Sequence, residues 1–277
     1  MTSPTSRSVI LLLALLAAAR DSRAGEPVRV AGTGGAVAAM TRLAAEAAIQ
    51  DPSLAVRVLP SLGSTGAIKA LADGALDLAI IARPLRATER ALGIAGWKLA
   101  RSPLLFAVGP GVEASDLTTD DLVAIYLGTR LTWPDGQRLR LVLRQDTDAD
   151  TGILRTLSPG MSAAVEAAGR RPGMLVAVSN TECNEILARM PGALGPSSLI
   201  QLRSELRPLR ALRLNGVEPT LENLESGRYP LEKPLHVAFR SPAPEGVRKF
   251  VAFLASPRAR ALLRELGALS LDVPPPR

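Results

Sequence analysis

The chain has 277 residues, 47% of them hydrophobic and 21% charged, enough to bury one large core or two modest ones and too apolar for a disordered tail. Aromatic residues make up only 3%, too few for the stacking platforms of a single-strand nucleic-acid reader, and the net charge of +7 is scattered without a long basic block. Cys183 is the one cysteine, so no intramolecular disulfide is possible and the fold must hold by packing.

The N-terminus reads as an address. Arg7 precedes an apolar run over 9–19, and Ser22-Arg23-Ala24 puts small residues where a signal peptidase inspects the chain. The run is too short to span a bilayer comfortably, and no Cys lies near the cleavage point to carry a lipid. Residues 1–24 are therefore expected to be a cleaved signal peptide, with the mature protein in the periplasm.

Residues 28–31 then predict a short strand, followed by Gly32-Thr33-Gly34-Gly35 and a helix whose Met40, Leu43, Ala44 and Ala47 share one face. Asp51-Pro52 stops it, and 54–59 reads as a strand. Gly63-Ser64-Thr65-Gly66 opens a second helix with Ile68 and Leu71 inward. Asp73-Gly74 ends it before the near-continuous apolar strand 76–81. Such βαβαβ alternation implies a parallel sheet with glycine-rich loops at the helix N-termini.

Residues 104–108 form a further apolar strand, closed by Gly109-Pro110-Gly111, where the chain is expected to leave a first lobe. A second alternating set follows. Thr118 and Thr119 cap a helix through Tyr126, 139–143 is a strand, and the polar stretch 144–151 enters another helix. After a strand at 174–178, Ser179-Asn180-Thr181 caps a helix to Met190, and Pro191-Gly192 breaks it before 193–199. A strand at 235–240 returns the chain. Helices over 245–255 and 257–266 end it, the latter with Ser256 as N-cap and Pro257 at its first position. The expected fold is α/β and two-lobed. Residues 25–108 and 235–277 form one lobe and 109–234 the other, each a mostly parallel sheet flanked by helices, joined by hinge strands.

Four polar loops thus precede helices: 32–36, 63–66, 144–151 and 179–181. Each aims unpaired backbone N–H groups and a positive dipole end outward, which suits an oxyanion. Ordinary capping would place the same Ser and Thr residues, and spacing alone does not choose between the two. Enzymatic signatures are poor. His236 sits in an apolar strand as a structural residue, Gly63-Ser64-Thr65-Gly66 is no nucleophile elbow, and Gly32-Thr33-Gly34-Gly35 lacks the Lys-Ser/Thr of a phosphate loop. Cys183 reads as a small residue on a helix face. Asp146, Asp148 and Asp150 alternate as cation-wrapping carboxylates do, but Thr151 and Leu157 stand where a calcium loop needs Gly and Glu. Self-capping by the Asp side chains is the simpler reading.

Several segments resemble the phosphate-type periplasmic substrate-binding proteins of ABC transporters. Leu62-Gly63-Ser64-Thr65-Gly66-Ala67-Ile68-Lys69, with the strand through Ala82-Arg83-Pro84-Leu85, is similar to the family's glycine–serine loop, helix and strand. Ile125-Tyr126-Leu127-Gly128 running on to Trp133, Pro191-Gly192-Ala193-Leu194-Gly195, and Gly227-Arg228-Tyr229-Pro230-Leu231 resemble further elements. The resemblance implies a non-enzymatic receptor that needs no cofactor and closes two lobes over a small anion. It further implies a receptor that partners a membrane permease, binds no nucleic acid and is monomeric. Carried over by position, the family's ligand contacts fall on Ala36, Ser64, Ala82, Arg144, Asp148, Ala149 and Asp150 or Thr151, with Gly35, Thr65 and Arg83 beside them. Ser64 offers a hydroxyl at a helix start, and the Arg144 guanidinium can clamp two oxygens. The chain departs from the family at three places: Ala36 replaces a Thr, Ala82 an Asp, and Asp148-Ala149-Asp150 a Ser-Gly-Thr run. Either Arg83 and the Asp residues rearrange the site, or the ligand differs from phosphate.

Overall fold

The computed structural model describes residues 26–271; the predicted signal segment lies outside them. β1 (Val28–Gly32), α1 (Gly34–Gln50), β2 (Val56–Val58), α2 (Gly63–Ala72) and β3 (Leu78–Ile81) follow the expected alternation, and β1 pairs in parallel with both β2 and β3. After α3 (Ala87–Arg90), β4 (Ile94–Val108) runs for 15 residues, three times the length its apolar run predicts. The missed portion mixes Gly96, Lys98, Arg101, Ser102 and Pro103 with apolar residues, which hides the strand period.

The second set comprises β5 (Asp116–Leu117), α4 (Thr119–Leu127), β6 (Arg140–Arg144), α5 (Ala149–Arg155), α6 (Pro159–Arg170), β7 (Leu175–Ala177), α7 (Asn180–Arg189) and β8 (Ala193–Ser198). Then come α8 (Leu199–Glu205), β9 (Arg210–Ala211), β10 (Arg213–Leu214) and α9 (Leu221–Glu225). The chain closes with β11 (Glu232–Arg240), α10 (Glu245–Leu254), α11 (Pro257–Glu265) and β12 (Leu269–Ser270). α6, capped by Ser158 with Pro159 at its start, and the short α8 and α9 were not apparent from the sequence. Among the described residues no helix is long and apolar enough to cross a membrane.

A single sheet runs through the molecule in the order β2-β1-β3-β11-β4-β8-β6-β7. β4 is its spine. Residues 94–103 pair antiparallel with β11, and residues 104–108 pair antiparallel with β8. The exchange of partner falls between Pro103 and Leu104, and the Leu104 amide donates to the Leu231 carbonyl at 3.0 Å, so both crossings between the two halves of the sheet lie side by side. The crossings therefore come before residues 104–108 and before residues 235–240.

Apolar packing follows the same division. Val30, Leu43, Ile80, Val237, Phe250 and Leu263 bury together in the first half, and Phe106, Tyr126, Trp133, Met161, Leu194 and Tyr229 in the second. Tyr126 meets Phe106 edge-on at 6.5 Å, and the indole N–H of Trp133 donates to the Gly192 carbonyl at 3.0 Å, which satisfies the polar end of the buried ring. Ile200 of α8 joins the first core, so the chain revisits that half between β8 and β9.

Gly32 explains part of the glycine-rich loop without a ligand. A Cβ there would stand 1.8 Å from the Ile80 carbonyl oxygen, because β1 and β3 pass too closely for a side chain. Gly32→Ala is expected to destabilise the fold by about 1–3 kcal/mol in denaturant titration, as overpacking does. His236 lies on β11 between β3 and β4, and burial first, then Lys98, Arg90 and Arg83, lower its pKa to about 4. The unfolded chain then binds more protons than the fold between about pH 6.5 and 4, so stability is lost as pH falls through that window. His236→Gln is expected to flatten the fall of the thermal midpoint over that range relative to the parent chain.

Candidate functional site

A cavity of about 860 Å³ opens between the two halves of the sheet, a size typical of small-molecule sites. One wall comes from the first half: Ser61, residues 63–66 at the start of α2, Ala82, Arg83 and Arg86. The facing wall carries Gln145, Thr147, Asp148, Ala149, Thr156 and Ser179, and Pro230, Glu232 and Pro234 beside the crossing close one end.

The four loops expected to face an anion differ in how their helix tips are satisfied. Ser179 caps α7 by accepting from the Glu182 amide at 3.0 Å, and Asp148 caps α5 by accepting from the Asp150 amide at 2.9 Å. At α1 the cap comes from across the fold: the Asn180 side-chain oxygen accepts from the Gly35 amide and the Thr33 hydroxyl, both at 3.3 Å. The N-cap residue of α2, Leu62, makes no side-chain cap; only the Ser61 oxygen accepts there, from the Gly63 amide at 3.3 Å, and the first turn lines the cavity. Ser64 turns its oxygen inward to accept from the Ala82 amide at 3.0 Å, which ties the α2 tip to the end of β3.

Of the predicted site residues, Ser64, Thr65, Ala82, Arg83, Asp148 and Ala149 line this cavity. Gly35, Ala36, Arg144 and Thr151 lie behind its walls. Ala36 packs in the first core, and the Thr151 hydroxyl donates to the Gln145 carbonyl at 2.8 Å. Arg144 is spoken for: its guanidinium donates to the Ala177 carbonyl at 2.6 Å and to Asp148 at 2.7 Å, and its side chain is only 3% exposed. With Thr151 it borders a second hollow of about 430 Å³, which shares Gln145 and Thr147 with the cavity. Arg83 is also engaged, gripping Glu89 through two bonds of 2.8 and 2.6 Å, and this grip holds the Glu89 carboxyl below its ordinary range.

The three alternating aspartates serve three different cations, not one metal. Asp146 pairs with Arg155, Asp148 with Arg144, and Asp150 with Lys233. Among the described residues no group of three or more His, Cys, Asp or Glu side chains could hold a metal ion. Cys183 is buried against Pro196, and burial pushes its thiol up to about 12, so it is inert packing at neutral pH.

The sequence reading missed the group that joins the walls. Lys233 Nζ stands 2.6 and 2.9 Å from the two oxygens of Asp150, and Asn180 donates to the same carboxylate at 2.5 Å. Asp150 and Lys233 are 0% and 1% exposed. Burial pushes the Asp150 carboxyl above its ordinary range while Lys233 pulls it back. One signal was available. Leu231, Lys233, Leu235 and Val237 alternate on one face, so Lys233 takes an inward position that only a buried carboxylate satisfies.

The comparisons with known proteins agree with this architecture. The phosphate-binding protein PstS of Bacillus subtilis is 27% identical over 154 residues, 54% of this chain and 48% of that protein, so the match spans about half of that relative's length. PstS of Borreliella burgdorferi is 23% identical over 218 residues, covering 76% of this chain and 77% of the relative. A Clostridium perfringens protein solved with bound phosphate superposes with a TM-score of 0.72 at 18% identity, over 89% of this chain and all of the other. Residues 17–258 match the PBP superfamily domain, and a match over that much of the sequence, on a sheet and cavity of this form, places the chain in the PBP superfamily.

Proposed function

We propose that this protein is a solute-binding component of an ABC transporter, exported to the periplasm, which captures a small oxyanion between two lobes and presents it to a membrane permease. The observation that carries this reading is the α2 tip: the first turn of a ten-residue helix, capped by a side chain only at Gly63, through Ser61, and opening into the cavity between the halves of the sheet. Backbone amides there bind negative charge without a lysine or arginine, and the helix dipole adds to them. Thr65 and the exposed Arg86 stand beside that tip, and Gln145, Thr147 and Ser179 supply polar groups from the opposite wall. Two curated relatives carry the name phosphate-binding protein, which makes inorganic phosphate the first ligand to try.

The lobes in this proposal are 26–103 with 232–271, and 104–231, with α8 returning to the first core. Their hinge is the pair of crossings at Pro103–Leu104 and Leu231–Glu232. Closure brings the polar wall around Ser179 over an anion already seated on α2, and the permease distinguishes the closed form from the open one. Arg144 acts as a support for this wall through Asp148. In this reading the site selects by amide geometry and by Arg86, since Arg83, Asp148 and Glu232 on its surface each have a partner within the protein.

Calorimetry against phosphate, sulfate, molybdate and small organic acids tests the proposal. One of the oxyanions is expected to bind and to raise the thermal midpoint, because a ligand of the native state stabilises it. Thr65→Glu sharpens the test. A carboxylate in the first turn of α2 suits the helix dipole, so stability should hold within about 1 kcal/mol, while anion affinity should fall on the order of tenfold or more. Silence of the parent chain across the whole panel would sink the oxyanion reading.

A further inference from the structure

The α1 tip meets every physical requirement of an anion cradle except vacancy. It has the Gly35 amide, the Thr33 hydroxyl and, against them, the ammonium of Lys233, so close that a Cβ on Gly35 would stand 3.0 Å from Nζ. Lys233 is 1% exposed, and a buried ammonium without a counter-charge is not tolerated. That counter-charge is Asp150. Its carboxylate touches Lys233 through both oxygens and reaches the α1 tip through Asn180, whose amide N–H donates to Asp150 while its oxygen accepts from Gly35 and Thr33. The arrangement spans the molecule: Thr33 and Gly35 come from the first half, Asp150 and Asn180 from the second, and Lys233 from the strand that crosses between them. Thr33, Ala149 and Ser179, each adjacent in sequence to a member of this set or belonging to it, line the cavity, so the group lies directly behind the cavity wall.

We propose that Asp150 is a resident anion and a specificity-determining residue: held by Lys233 and Asn180, its carboxylate neutralises the α1 end of the cavity from within, excludes a free oxyanion from that end and confines the captured solute to the α2 tip. The claim about exclusion stands on the geometry of Asp150 alone. The claim about where the solute sits rests on the oxyanion-receptor reading.

Asp150→Ser removes the carboxylate and leaves space beside Lys233; Asp150→Asn removes the charge and keeps the shape. Both expose an uncompensated ammonium next to helix amides, and an external anion can then take the place of the lost one. Calorimetric titration with inorganic phosphate is expected to show at least a tenfold gain in affinity for Asp150→Ser over the parent chain, or a second site where the parent already has one. The gain should vanish in Asp150→Ser/Lys233→Met. Should the single variants fail to fold in phosphate-free buffer, refolding in phosphate or in acetate should recover them, since either ion supplies the missing negative charge. A folded Asp150→Ser with no gain in phosphate affinity overturns the proposal, and so does an unfolded one that neither anion recovers. The two readings fail separately: a parent chain silent to every oxyanion, beside an Asp150→Ser that gains phosphate, leaves the resident anion standing and removes the receptor.

Discussion

An ammonium and a carboxylate, both out of reach of water, meet where the two halves of this protein join. Taking two charges from water costs several kcal/mol each, and only close contact with further hydrogen bonds offsets that cost. Lys233 and Asp150 have the contact at 2.6 Å, and Asn180 supplies a further bond. Deleting either partner alone would leave a buried charge, at about 3–5 kcal/mol, so neither position is free to vary by itself. This requirement fixes the register of β11 at Lys233, the entry of α5 at Asp150 and the start of α7 at Asn180. Those same three segments supply the cavity wall that faces α2 and close one of its ends.

With that pair in place, the cavity has less charge to offer than its lining suggests. Arg83 is bound to Glu89, Asp148 to Arg144, and Glu232 to Lys98 and Arg101. Each pair cancels most of its own field within a few ångströms, and water in the cavity screens the remainder. The charge left in the lining is that of Arg86, and the directional donors beside it are the α2 amides. Amide N–H groups at a helix start keep fixed positions, carry no counter-ion and cost no side-chain entropy on binding, which suits them to small oxyanions.

The order and type of most elements were legible, because buried parallel strands and amphipathic helices leave strong periods. The strand ending in Leu78, Ile80 and Ile81 and the helix through Met40, Leu43 and Ala47 are examples. Capping chemistry was legible as well: Thr118, Ser179 and Ser256 cap the helices expected of them. Most of β4 was not, because a strand covered differently along its length shows no single alternation. At the site, sequence gave the loops but not their contacts. Nothing local says that Asn180 reaches α1, since that choice is made across the fold; Asn180 and Gly35 lie 145 residues apart.

The position of Arg144 shows how a near neighbour redirects a familiar residue. A guanidinium at the end of β6 could reach into the cavity if nothing nearer competed for it. Asp148, four residues on, lies on the path, and a paired carboxylate held at 2.7 Å competes at far higher effective concentration than any dissolved anion. The Ala177 carbonyl occupies the other arm of the fork. Arg144 therefore spends its charge on the α5 cap, and that cap in turn orients Asp150 two residues later toward Lys233. The loop at the start of α5 thus carries two carboxylates, each held by a cation of the protein itself: Asp148 by Arg144 and Asp150 by Lys233.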